Sequence, residues 1–118
     1  MKQFGGTGSE SAISIALSND GNYIYFSGTS NSNPCMFDGN SLATTGLNDI
    51  FLAKYAIDGT FQWVKDIAYG ANQQTFGNFA IDQNNNIILT GHFLTDVTFY
   101  GGGTTLTSAL PAIRQSFI

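Results

Sequence analysis

Ile15-Ala16-Leu17, the turn Asn19-Asp20-Gly21-Asn22 and Ile24-Tyr25-Phe26-Ser27-Gly28 make up a stretch that the chain uses twice. Its counterpart is Phe79-Ala80-Ile81, then Asp82 to Asn86, then Ile87-Ile88-Leu89-Thr90-Gly91. Moving outward, Lys2 and Gly6 match Lys65 and Gly70, and Phe37-Asp38-Gly39 matches Phe99-Tyr100-Gly101. Phe51-Leu52 matches Phe117-Ile118, with Asp49 opposite Gln115. The step is about 64 residues each time, so 1–118 reads as a single β-repeat unit with one repeat over about 1–64 and an incomplete second over about 65–118. Such a period marks repeat architecture, in which each unit buries its apolar surface on its neighbour.

Each repeat reads as short strands. Ala12 to Leu17 puts Ile13, Ile15 and Leu17 on one face by period two, and Tyr23 to Ser27 is apolar on both faces. Asp49 to Tyr55 alternates Ile50 and Leu52 with Phe51, Ala53 and Tyr55; Phe61 to Ile67 alternates Phe61, Trp63, Lys65 and Ile67 with Gln62, Val64 and Asp66. The second repeat predicts strands near 76–82, 87–92 and 115–118. Asn19-Asp20-Gly21-Asn22 and Asp58-Gly59 are turn signals. No stretch of ten or more residues has helical apolar spacing. The expected fold is therefore all-β, with antiparallel four-stranded propeller blades forming a partial propeller. Strands that are apolar on both faces need cover on both, which stacked blades provide. The alternative, a β-sandwich, exposes one polar face per sheet.

Composition removes several classes. Only 10% of residues are charged and the net charge is −4, which speaks against nucleic acid and anionic membranes as partners. The apolar fraction of 42%, a third of it aromatic, speaks against disorder. No run approaches the roughly 18 apolar residues of a membrane-spanning helix. Met1-Lys2-Gln3-Phe4-Gly5-Gly6 lacks the apolar segment of a signal peptide. Cys35, the single cysteine, reads as a free thiol, since it has no partner for a disulfide and cannot build a zinc site alone.

The run Asp49-Ile50-Phe51-Leu52-Ala53-Lys54-Tyr55, then Asp58-Gly59, then Gln62-Trp63-Val64-Lys65, resembles the bacterial seven-bladed β-propeller repeat family. Gly5-Gly6, Ile15-Ala16-Leu17, Asp20-Gly21-Asn22 and Tyr25 to Gly28 fit the same pattern, as does Phe99 to Ser108. Two departures stand out: Asn84-Asn85-Asn86 replaces the Gly-Asn turn, and Arg114-Gln115-Ser116 replaces Asn48-Asp49-Ile50. The resemblance implies a scaffold or binding module, mostly extracellular, rather than a reaction. The expected role is a non-enzymatic repeat module for binding, adhesion or structural display, on a cell surface, in a secreted protein or in a virion. A carbohydrate-binding or polysaccharide-acting propeller fragment, the latter an enzyme, is the rival.

Candidate chemistry is sparse. His92 is the only histidine, so no histidine cluster or triad assembles within the chain. Asp20, Asp49, Asp58, Asp66, Asp82 and Asp96 are scattered, and Asn19 to Asn22 offers too few oxygens for Ca²⁺ by itself. No catalytic residue, metal or cofactor is assigned. Gly5-Gly6-Thr7-Gly8 and Gly101-Gly102-Gly103 lack the Lys-Ser/Thr ending of a phosphate loop and read as turns. Trp63, Tyr69, Phe99 and Tyr100 are the candidate ligand-binding residues, because an aromatic face near a loop can stack on a sugar; packing between blades is the competing role. Expected partners are other repeats or copies of the chain, and a glycan or protein. Burial of Tyr25, Phe26 and Ile88 calls for a neighbouring blade, and Met1 to Phe4 aligns with the end of a fourth strand. An isolated chain is expected to self-associate or to be marginally stable, with the edge near 115–118 paired by another copy's first strand or by flanking sequence.

Overall fold

The computed structural model describes residues 1–45, 47–69, 75–93, 96–99, 105–107 and 115–117. Among them every regular element is a strand: β1 (Phe4–Gly5), β2 (Glu10–Leu17), β3 (Tyr23–Ser30), β4 (Cys35–Phe37), β5 (Asn40–Leu42) and β6 (Asp49–Ala56). They continue as β7 (Phe61–Tyr69), β8 (Thr75–Ile81), β9 (Ile87–Phe93), β10 (Asp96–Phe99), β11 (Thr105–Thr107) and β12 (Gln115–Phe117). All pairings are antiparallel.

β2, β3, β6 and β7 form a four-stranded meander, which the β10–β11 hairpin extends beyond β7. β8, β9 and β12 repeat the first three strands of that meander as a separate sheet. β1 pairs with the hairpin β4–β5. The fold is all-β and antiparallel, as the strand patterns predict.

The repeat holds pair by pair. In the first unit Ile15 faces Phe26, Ala16 faces Tyr25 and Leu17 faces Ile24. In the second, the matching residues Phe79, Ala80 and Ile81 face Leu89, Ile88 and Ile87. Gly28 opposite Phe51 becomes Gly91 opposite Phe117. Cys35 opposite Leu42 becomes Val97 opposite Leu106. β1 also fits its expected place: Phe4 and Gly5 pair with Phe37 and Met36 as Ala68 and Tyr69 pair with Phe99 and Thr98. Both first strands even carry their irregularity at the same step, between Ala12 and Ser14 and between Phe76 and Asn78.

Two local requirements explain the glycine pattern. A Cβ on Gly28 would lie 2.0 Å from the Ser11 carbonyl oxygen and 2.8 Å from the Phe51 ring, so only glycine fits this crowded strand. Gly21 sits in the left-handed region at φ 71°, and Asn85 takes the same conformation at φ 62°. Asn85 N–H donates to the Asp82 carbonyl as Gly21 N–H donates to Ser18. The missing Gly-Asn pair in the second repeat is thus made good by an asparagine, the residue after glycine that best tolerates this region.

The face assignment in β7 needs correction. A register shift between Lys54 and Tyr55 lets Gln62 bulge, so Tyr55 faces Phe61 while Lys54 faces Trp63. Phe61 and Val64 therefore join one apolar cluster, and Trp63 joins the other. β2 also departs from expectation. The apolar face that period two gives it is open, with Ile13, Ile15 and Leu17 all exposed, while Ala16 packs against the core.

Candidate interaction site

The first unit carries a core on each face. One holds Tyr25, Ile50, Leu52 and Ala68, and its partners across the gap are Phe79, Phe93 and Val97 with Ile81, Ile87 and Leu89 against them. This is the joint between the two units, with β8 lying against β2. The other cluster, Cys35, Phe37, Leu42, Phe51, Ala53 and Tyr55, lies beneath the β1–β4–β5 sheet. Phe4 is its lid: its ring stacks on Phe37 at 5.3 Å and meets Phe51 edge-on at 5.2 Å.

Beside that lid the cover stops. A groove of about 210 Å³ opens among Lys2, Gln3, Phe4, Ile24, Phe26, Tyr55 and Gly59, and its walls are almost wholly apolar. Ile15, 72% exposed, and Leu17, 56% exposed, extend the same strip, because they pair with Phe26 and Ile24 in the ladder. This strip is the strongest candidate for binding among the described residues. A contiguous apolar surface bordered by polar groups is what protein contact sites offer.

The polar rim is spent on holding the chain. Lys2 Nζ meets Asp38 at 2.8 Å. Glu10 accepts from the hydroxyls of Ser30 and Ser32 and from the Gly6 N–H, fastening the chain before β2 to the end of β3. A second, more open hollow of about 420 Å³ runs past Glu10, Met36 and Asp38. Cys35 is buried, and that burial pushes its thiol upward, against a Ser30 hydrogen bond that pulls it down. A thiol in this state is a packing residue. Burial likewise raises the Tyr55 hydroxyl, with Asp38 adding to it.

The turn aspartates act as local staples. Asp20 accepts from the Ser18 hydroxyl, from Asn22 N–H at 3.0 Å and from the Asn22 side chain at 2.9 Å. These bonds, the Ser18 one foremost, hold its carboxyl at about 2. Asp82 does the same work with Asn84 N–H and both donors of Asn86, each at 2.8 Å, and is held low chiefly by Asn86. The two turns meet: Asn19 donates to the Asp82 carbonyl at 2.6 Å. Among the described residues no group of three or more His, Cys, Asp or Glu is placed to hold a metal ion.

The aromatic candidates are dispersed. Trp63 is half-buried at the joint between units, with Tyr25 edge-on at 6.1 Å and Lys65 Nζ 5.4 Å from its ring centre. Phe99 packs against the same cluster, opposite Ala68. Tyr69 ends β7 opposite Thr98. Tyr100 and Gly101 to Gly103 lie outside the described residues, as do Gly70, Arg114 and Ile118. His92 is half-buried in β9, between Thr75 and Ser116 in the ladder. Ile24, Phe4 and Tyr55 were not predicted as a site; of the three, Ile24 is the one whose second-repeat counterpart, Ile87, packs at the joint.

No protein-family model matches the chain, and no solved structure matches it. The chain is similar to an uncharacterized WD repeat-containing protein of Acanthamoeba polyphaga mimivirus, with 33% identity over 91 residues. The match takes in 66% of this chain and 6% of that protein, so the chain spans a small fraction of the relative's length. The likeness supports a β-propeller-type repeat, since WD repeats are propeller blades, and does not single out the bacterial seven-bladed family.

Proposed function

We propose that the chain is a non-enzymatic repeat module of β-propeller type that binds proteins through its stacked sheet faces. The observation that carries this reading is the agreement of the two repeats in register, down to the shared strand irregularity. Units that match this closely are made to stack, and stacking creates extended surfaces for partners. The named WD-repeat character of the mimivirus relative supports the same reading. Within propellers we favour the bacterial seven-bladed repeat family, on the motif from Asp49 to Lys65. We place the module outside the cell, on a cell surface or in a virion, because charged residues are few and Asn, Thr and Gly abound.

The test is exposure of the purified chain to a polysaccharide panel and a glycan array, read for released reducing ends and for retention. Neither turnover nor glycan retention is expected. Hydrolysis that stops when a single carboxylate is removed overturns the reading in favour of a glycan-acting enzyme.

A further inference from the structure

We infer that the uncovered strip of the first unit, Ile15, Leu17, Ile24 and Phe26 beside Phe4, docks a second copy of this chain head to tail, through that copy's outer face around Ala80 and Ile88. The molecule contains its own template for this contact. In the second unit the positions matching Ile15, Leu17, Ile24 and Phe26 are Phe79, Ile81, Ile87 and Leu89. All four belong to the core at the joint, where they pack with Tyr25, Ile50 and Leu52 of the first unit. So the strip is one half of an interface whose other half is known.

The β2–β3 part of that other half is present, unused, on the far side of the second unit. Ala16 and Tyr25 serve the internal joint, and their counterparts are Ala80 and Ile88. Tyr25 is 7% exposed, whereas Ile88 is 47% exposed and Ala80 is also exposed. The two surfaces left open match the β2–β3 parts of a single kind of joint, and one copy presents each to the next.

Polar residues repeat the match. At the internal joint the Ser14 hydroxyl bonds the Asn78 side chain, its own repeat equivalent, so the row continues with the next copy's Ser14 against Asn78. Asn19 reaches the backbone carbonyl of Asp82; its equivalent, Gln83, carries the same amide and would reach the Ser18 carbonyl of the next copy. A contact between unlike faces either closes into a ring or runs on as a filament. This inference rests on the repeat reading above but not on the chain being non-enzymatic.

The experiment uses two variants of the full chain, Ile15→Glu and Ile88→Glu, in sedimentation velocity over a range of concentrations, with circular dichroism confirming that each stays folded. Both side chains are exposed within one copy, so neither change opens a core. Wild type should self-associate, and each variant alone should associate at least about tenfold more weakly, the scale of one lost apolar side chain. Mixed together, the two variants should form a one-to-one dimer, because one retains the strip and the other retains the Ala80–Ile88 face. Should either variant unfold, Leu17→Lys and Ala80→Glu replace the pair with the same expectations. Wild type that stays monomeric at high concentration overturns the proposal. So does an Ile88→Glu chain that associates as well as wild type, which would mean strip-to-strip pairing.

Discussion

Phe79 and Ile15 occupy the same position in their repeats, yet Phe79 is 7% exposed and Ile15 is 72% exposed. Tyr25 and Ile88 show the reverse, at 7% and 47%. Repeat position and strand register are the same in each pair, so neither can be the cause. Burial here is decided by whether another unit stands on that face. The first unit has its neighbouring unit on the Tyr25 side and the second on the Phe79 side, and the strip around Ile15 and the face around Ile88 stay open. An apolar residue in a repeat protein thus states what the face is for, while the neighbour decides whether it is used.

The comparison breaks most visibly on truncation. Phe79→Ala empties a site in the joint and should cost about 3–5 kcal/mol, the usual range for a buried phenylalanine. Ile15→Ala should change stability by no more than about 0.5 kcal/mol, as exposed positions do. Urea unfolding at a concentration where the chain is monomeric checks both. Equal losses would show that Ile15 is covered within a single copy.

The turns give a smaller contrast. Gly21 and Asn85 share the left-handed conformation, so Gly21→Asn should be nearly neutral. Gly21→Val should lose about 1–2 kcal/mol, the cost of forcing a side chain into that region. Thermal melts of the two variants, compared with wild type, make the check; a Gly21→Val chain as stable as Gly21→Asn would remove the conformational argument.

Much of this was legible before the structure. The seven strands predicted from period-two patterns correspond to β2, β3, β6, β7, β8, β9 and β12, because each is long enough to show alternation or is copied from one that is. The hairpin β4–β5 escaped, since Cys35–Phe37 and Asn40–Leu42 have three residues each and no alternation to detect. Trp63 was assigned to the Phe61 face because a bulge at Gln62 leaves no mark on composition, and one extra residue reverses every later side chain. As for the site, a strand that is apolar on both faces looks the same whether its neighbour is present or not. Only the paired comparison of Ile15 with Phe79 separates the covered face from the open one.

The smallest effect concerns acid, where the two turns differ in one donor. Asp20 receives the Ser18 hydroxyl as its strongest support, and the position equivalent to Ser18 in the second turn is Asp82 itself. A carboxyl held below its unfolded value adds stability that is present above about 3.8 and lost as pH falls through about 2. Asp20 should therefore be among the last carboxyls to titrate, with its turn loosening only in that window. Because the carboxyl is on the surface, solvent screens its contribution, and the pKa itself is the better observable. Ser18→Ala removes the leading cause and should raise the Asp20 midpoint toward the ordinary aspartate range, while Asp82, held mainly by Asn86, stays where it is. Carboxyl-carbon NMR titration of both residues reads this directly. A Ser18→Ala chain whose Asp20 still titrates near 2 would show that the Asn22 bonds alone hold the charge, and that the two turns are equivalent after all.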